Sequence, residues 1–128
     1  MKALTREWVD KAEGDFHSCL REVRARRNPN HDSACFHAQQ CVEKYLKARL
    51  QEAGSAFPKT HDLLDLLKRT LALEPTWTTL TPSLTQLVNY AVVFRYPGVS
   101  ASKADARTTL AACRTVRRTV RQSLGLPN

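Results

Sequence analysis

The sequence has little of what marks several protein classes. It contains 4 Gly and 6 Pro in 128 residues, too few for a turn-rich β sandwich. No apolar run approaches the roughly 20 residues of a membrane span, and the first ten residues hold no apolar signal segment. With 42% hydrophobic and 25% charged residues, the composition is not that of a disordered chain. These absences predict a soluble, cytoplasmic protein, without a membrane partner, folded as one domain over residues 1–128.

A close cysteine pair is also absent. Cys19, Cys35, Cys41 and Cys113 form no Cys-x-x-Cys motif, and zinc sites usually contain at least one such pair. Three of the four lie on apolar stripes of predicted helices, where a free cysteine packs as a small hydrophobic residue. We therefore expect a packing role for the cysteines, and neither a metal nor another cofactor.

Apolar residues recur with helical spacing along most of the chain. The pattern predicts helices over about residues 5–26, 32–53, 60–71, 81–93 and 102–124. The expected caps of the first four are Thr5, Asp32 or Ser33, Thr60 and Thr81. No run alternates with period two for long enough to form a strand. The fold class predicted is all-α, an antiparallel up-and-down bundle of four to five helices.

Basic residues are concentrated in the last predicted helix. The net charge is +8, and residues 100–128 hold six basic side chains and one acidic one. At about 100° per residue, four arginines fall within about 60° of one another and form a basic patch: Arg107, Arg114, Arg118 and Arg121. Such a face suits RNA or nucleotide phosphates, although an acidic protein partner or a plain solvated surface would also explain it. No aromatic residue interleaves this patch, which argues against base stacking there.

The second predicted helix presents a polar face beside its apolar row. His37, Gln40 and Lys44 share that face, while Asp15 lies on the apolar stripe of the first helix. A buried carboxylate needs a partner, and Lys44 or Arg95 could supply one. Two interpretations remain open: an internal salt bridge, or a polar pocket for a nucleotide or phosphate. The pocket would consist of Asp15, Gln40, Lys44, Arg95 and Tyr96.

Several motifs follow one another in a familiar order. An Ala12-x-x-Asp15-Phe16 element precedes Phe36-His-Ala-Gln-Gln-Cys-Val-Glu-Lys-Tyr-Leu-Lys-Ala48, then Thr60-His-Asp-Leu63, then Phe94-Arg-Tyr-Pro97. This order and spacing resembles the HEPN domain family (higher eukaryotes and prokaryotes nucleotide-binding) over about residues 5–122. The Gln-Gln-x-x-Glu-Lys-x-x-Lys-Ala block is the most specific part.

The resemblance implies a helical bundle that commonly forms homodimers and is often encoded beside a minimal nucleotidyltransferase as a toxin–antitoxin pair. Active toxins of the family are metal-independent ribonucleases with an Arg-x(4–6)-His motif near the start of the last long helix. Arg95 is the arginine nearest that place here, and no histidine follows His61. Arg26 and His31 satisfy the spacing, as does Arg24 with His31, but they lie between the first two helices.

The leading hypothesis is therefore a non-catalytic module that binds a nucleotide or RNA as a homodimer and works with a nucleotidyltransferase. One alternative is a ribonuclease toxin that uses His31 or His37 with a nearby arginine such as Arg26. Another is a protein-interaction module whose basic last helix docks an acidic partner.

Overall fold

The structure, a computed structural model, describes residues 1–94 and 96–128, with all of their side chains except those of residues 91 and 92. It is helical, with no strand among these residues, as the sequence predicts. The elements are α1 (Ala3–Arg24), α2 (His31–Glu52), α3 (Leu63–Thr70), a 3₁₀ helix (Pro75–Leu80), α4 (Thr81–Val93) and α5 (Lys103–Ser123). None of the helices described is long and apolar enough to cross a bilayer.

The connection between α1 and α2 reverses the chain and caps α2. Asn28 has a positive φ of 48°, a region that asparagine tolerates better than most residues. The cap is Asn30 rather than the expected Asp32 or Ser33, because the Asn30 side chain accepts a hydrogen bond from the Ser33 amide at 2.9 Å. Asp32 instead accepts from the Ala101 amide at 2.6 Å, which ties the start of α2 to the segment before α5.

The other predicted caps are also replaced. Thr5 is buried inside α1 and donates its hydroxyl to Glu52 at 2.9 Å. Asp62 caps α3 in place of Thr60, accepting from two backbone amides at 3.1 Å. Thr81 is helical itself, because the 3₁₀ helix runs directly into α4. Tertiary contacts engage Thr5 and Asp32, whereas the differences at Thr60 and Thr81 arise from the local course of the chain.

The start of α5 is fixed by a reciprocal pair of hydrogen bonds. Ser102 accepts from the Asp105 amide at 3.0 Å, and the Asp105 carboxylate accepts from the Ser102 amide at 2.8 Å. This capping box satisfies two backbone amides that the helix leaves unpaired. It holds Lys103 and Arg107 in the first two turns of α5.

The three long helices α1, α2 and α5 do not all run in the same direction. Hydrogen bonds join α1 to α2 in opposite sequence order and α2 to α5 in the same order: Thr5 with Glu52, Glu22 with Asn30, Asp32 with Ala101, and Tyr45 with Arg121. Hence α1 is antiparallel to both α2 and α5. Buried alanines and cysteines let these helices approach closely, among them Ala12, Cys19, Ala38, Cys41 and Cys113.

All four cysteines are free and buried. Burial raises the pKa of Cys19 to about 12, and burial also raises the pKa of Cys41 well above its usual range. Neither thiol is ionised at neutral pH, so these side chains act as packing groups in the folded protein.

Candidate nucleic-acid interface

Asp15 lies at the centre of a polar contact between α1 and α2. One carboxylate oxygen is 2.5 Å from the Lys44 ammonium nitrogen, and the other is 2.7 Å from Nδ1 of His37. The Asp15 side chain is 11% exposed, so its charge is neutralised inside the protein rather than by solvent. Gln40 is half-buried between His37 and Lys44 along α2. These contacts support the salt-bridge interpretation of Asp15.

The remaining two members of the sequence-derived polar set are in the α4–α5 connection. Tyr96 is 66% exposed. Arg95 lies outside the described residues. The pocket interpretation of the five residues therefore stays a prediction.

A second acidic residue, Glu13, joins three helices, and sequence reasoning missed it. It accepts from Arg117 at 2.6 and 2.8 Å and from the Tyr45 hydroxyl at 2.6 Å. Burial alone would raise the pKa of Glu13, but the hydrogen bonds from Arg117 and Tyr45 outweigh it and the pKa is lowered. Burial, followed by the hydrogen bond to Glu13, raises the pKa of Tyr45. The only sequence signal was the position of Glu13 next to the apolar stripe residue Ala12.

Glu43, in the motif that carries the family resemblance, is a third acidic residue with partners on other segments, and like Asp15 it is buried. Its carboxylate is 3.2 Å from the Lys47 nitrogen and 2.9 Å from Nδ1 of His61. Lys47 also lies 5.4 Å from the centre of the Trp8 ring. The polar residues of this motif thus connect α2 to α1 and to the segment before α3.

The arginines of the predicted patch on α5 do not share one environment. Arg107, Arg114 and Arg118 are exposed and have no ion pair among the described residues. Arg121 is half-buried, donates to the Tyr45 hydroxyl at 2.9 Å and lies 3.5 Å from the Glu13 carboxylate. Arg121 is therefore bound within the protein, whereas the other three project into solvent.

A basic cleft lies where the end of α1, the α1–α2 connection and the start of α5 meet. Its volume is about 640 Å³. Its lining residues are Val23, Arg24, Ala25, Arg26, Pro29, His31, Lys103 and Arg107. The cleft exists because α1 and α5 are antiparallel, which brings the basic end of α1 beside the basic start of α5.

The four cations of the basic cleft have no acidic partner in the part of the chain that the structure describes. No described residue forms a salt bridge or side-chain hydrogen bond with Arg24, Arg26, Lys103 or Arg107. Nδ1 of His31 is buried and has no hydrogen-bond partner among the described protein groups. An unsatisfied buried polar atom of this kind costs about 1–3 kcal/mol. The cleft has the charge and the donors of an anion site.

Arg26 and His31, which match the ribonuclease spacing by count, both line this basic cleft. His37 belongs instead to the Asp15 contact. Among the described residues, no group of three or more His, Cys, Asp or Glu side chains is arranged to hold a metal ion.

A crystal structure of the protein TT1696 from Thermus thermophilus has a similar fold, with a TM-score of 0.73 at 21% sequence identity. The similarity covers 92% of this chain and 96% of that one. None of the curated proteins is significantly similar in sequence. The sequence profile of the HEPN domain matches residues 5–123, nearly the whole chain. The chain therefore belongs to the HEPN domain family.

Proposed function

We propose that this protein is a nucleotide- or RNA-binding module and that the basic cleft holds phosphate groups. The observation that carries the proposal is the cluster of four cations around the basic cleft, none of which has an acidic partner among the described residues. Family membership supports a nucleotide- or RNA-related role. Like charges that face one another are costly without a counter-ion, so an anionic ligand stabilises the arrangement.

Arginine suits this role because its planar guanidinium can donate two parallel hydrogen bonds to one phosphate. Arg24, Arg26 and Arg107 supply three guanidinium groups, and Lys103 adds a compact ammonium group. Arg114 and Arg118 extend the positive surface along α5, about 10 and 16 Å from Arg107 at 1.5 Å per residue. A ligand with several phosphates could use the basic cleft and this extension together, which favours RNA over a mononucleotide.

The test is a comparison of two charge-matched double variants. Arg24→Glu with Arg107→Glu alters the basic cleft. Lys59→Glu with Lys68→Glu gives the same net charge on exposed positions around α3. Loss of one charged hydrogen bond costs about 1.5–3 kcal/mol, so the cleft variant should bind a fluorescent RNA oligomer at least 10-fold more weakly at about 100 mM salt. Equal affinities for the two variants would contradict the proposal.

We propose that binding is not accompanied by cleavage. No histidine follows His61 in the sequence, so the last helix lacks the histidine of the family's ribonuclease motif. One observation favours the alternative of a metal-independent ribonuclease, because Arg26 and His31 line the same cleft. RNA incubated with the protein in EDTA should stay intact. Cleavage that disappears in His31→Ala would establish the alternative.

We also propose that the protein forms a homodimer and acts with a minimal nucleotidyltransferase. Family membership supports this, as do the exposed apolar side chains Val93 and Val99 flanking the α4–α5 connection. Light scattering should give twice the mass of the 14.5 kDa chain. Co-expression with a nucleotidyltransferase encoded beside it should yield a complex. A monomer that forms no complex with that nucleotidyltransferase would contradict both statements.

A further inference from the structure

An aromatic cavity lies close to the basic cleft. Its volume is about 330 Å³, and three of its lining residues are the aromatic rings Phe36, Tyr90 and Phe94. The rings of Tyr90 and Phe94 are nearly parallel, at 17°, with centres 5.7 Å apart. Phe36 is 47% exposed. Tyr90 and Phe94 are half-buried, so the cavity combines one exposed ring with two partly accessible ones.

A third cavity, of about 540 Å³, lies beside both the aromatic cavity and the basic cleft. It shares the lining residues Pro29 and His31 with the basic cleft. It shares Asn30 and Asp32 with the aromatic cavity. The three cavities therefore adjoin one another across the α1–α2 connection, and we call them together the groove, basic at one end and aromatic at the other.

Polar groups that could contact a base edge lie in the aromatic cavity. The oxygen of Asn30 accepts from the Ser33 amide, which leaves the Asn30 amide nitrogen directed away from that bond. Asp32 also lines the aromatic cavity, and its carboxylate accepts from the Ala101 amide at 2.6 Å. That hydrogen bond leaves the carboxylate its negative charge, which repels phosphate here and favours phosphate positions at the basic end of the groove.

We infer that the groove binds single-stranded RNA, with phosphates in the basic cleft and an unstacked base against Phe36, Tyr90 and Phe94. This inference rests on the proposed function and adds a base-stacking subsite to it. Sequence reasoning argued against stacking, because no aromatic residue lies on the α5 patch. The fold supplies the rings from α2, from α4 and from the residue directly after α4 instead. A duplex keeps its bases stacked on each other and cannot present one to these rings.

The experiment compares an oligouridylate with an abasic oligomer of the same length and phosphate number, and with an RNA duplex. The wild-type protein should bind oligouridylate more tightly than either. Stacking of one base contributes about 5- to 100-fold in affinity, so Phe36→Ala should weaken oligouridylate binding by such a factor and leave the abasic oligomer unaffected. Phe36 is exposed, so this variant should fold.

Leu64→Ala is the matched control, since Leu64 is an apolar residue of α3 that is 39% exposed. Phe94→Leu tests a second ring with little loss of volume. If abasic and uridylate oligomers bind equally and Phe36→Ala changes neither, the stacking subsite is wrong and the phosphate site survives. If no oligomer binds, the proposed function itself fails.

A second copy of the chain is the competing occupant of the aromatic cavity. In that case Phe36→Ala would convert a dimer into a monomer by light scattering and weaken binding of both oligomers alike. That pair of results would overturn the inference. An unchanged mass with a selective loss of oligouridylate binding supports it.

Discussion

Arginines in the two halves of α5 lie in different environments. In the second half, Arg117 and Arg121 lie against Glu13 with 16% and 12% of their side chains exposed, whereas Arg114 and Arg118 are exposed. We call this half the paired half after its two ion pairs with Glu13, and the first half the unpaired half. In the first half, Arg107 is exposed beside the cations of α1. The difference comes from α1, whose middle supplies a carboxylate and whose end supplies arginines. An arginine-rich helix is therefore informative only when the helix opposite it is known.

The largest expected effect is on the paired half. Glu13→Gln leaves two largely buried guanidinium groups without their carboxylate. Removal of one partner from a buried ion pair costs about 3–5 kcal/mol, so the free energy of unfolding should fall by about 3 kcal/mol in urea denaturation. Glu7→Gln, at an exposed position of the same helix, should change it by less than about 0.5 kcal/mol. Equal stabilities of the two variants would mean that the ion pairs of Glu13 do not stabilise the fold.

A smaller loss is expected at Asp15. Asp15→Asn keeps one acceptor for Lys44 or His37, and Lys44 is 22% exposed, so water can solvate part of the unpaired charge. We expect a loss of about 2 kcal/mol in the free energy of unfolding. A double-mutant cycle of Asp15→Ala and Lys44→Ala should give a coupling energy of about 1–2 kcal/mol. Zero coupling would mean that the contact does not stabilise the fold.

Acid should weaken the paired half selectively. The pKa of Glu13 in the folded protein lies below its ordinary value of 4.5, so the unfolded chain binds more protons as the pH falls past 4.5. The stabilisation is present above that pH and is lost as the pH falls through the folded-state pKa. The stability difference between wild type and Glu13→Gln should therefore shrink below pH 4.5. A stability difference between the two proteins that grows as the pH falls would contradict this prediction.

The smallest effect on stability is expected in the unpaired half. Arg107→Gln removes no contact within the described residues and reduces like-charge repulsion, so the free energy of unfolding should change by less than about 0.5 kcal/mol. The salt dependence of RNA affinity should change instead, since each phosphate contact contributes about 0.7 to the slope of log affinity against log salt for a single strand. Arg69→Gln, on α3, should leave that slope unchanged. A loss of stability as large as that of Glu13→Gln would mean that Arg107 has a stabilising partner in the folded protein.

The sequence predicted the helices well because their apolar spacing is regular and Pro29, Gly54 and Gly98 interrupt it. It predicted the helix caps less well. Asp32 does not cap α2, because its carboxylate accepts a hydrogen bond from the Ala101 amide, a contact between segments far apart in the sequence. Helical periodicity placed Arg121 among exposed arginines, because the pattern of one helix does not show that a carboxylate of another helix lies beside it. The basic cleft could not be predicted from the sequence for the same reason.

The central claim is that RNA phosphates bind in the basic cleft that His31 lines. The most direct test is the ¹⁵N resonance of the His31 ring during titration with oligouridylate at constant pH and low salt. We predict that the ring ¹⁵N signals of His31 shift in proportion to binding, while those of the exposed His17 of α1 stay unchanged. Saturable RNA binding with no change at His31 would contradict it.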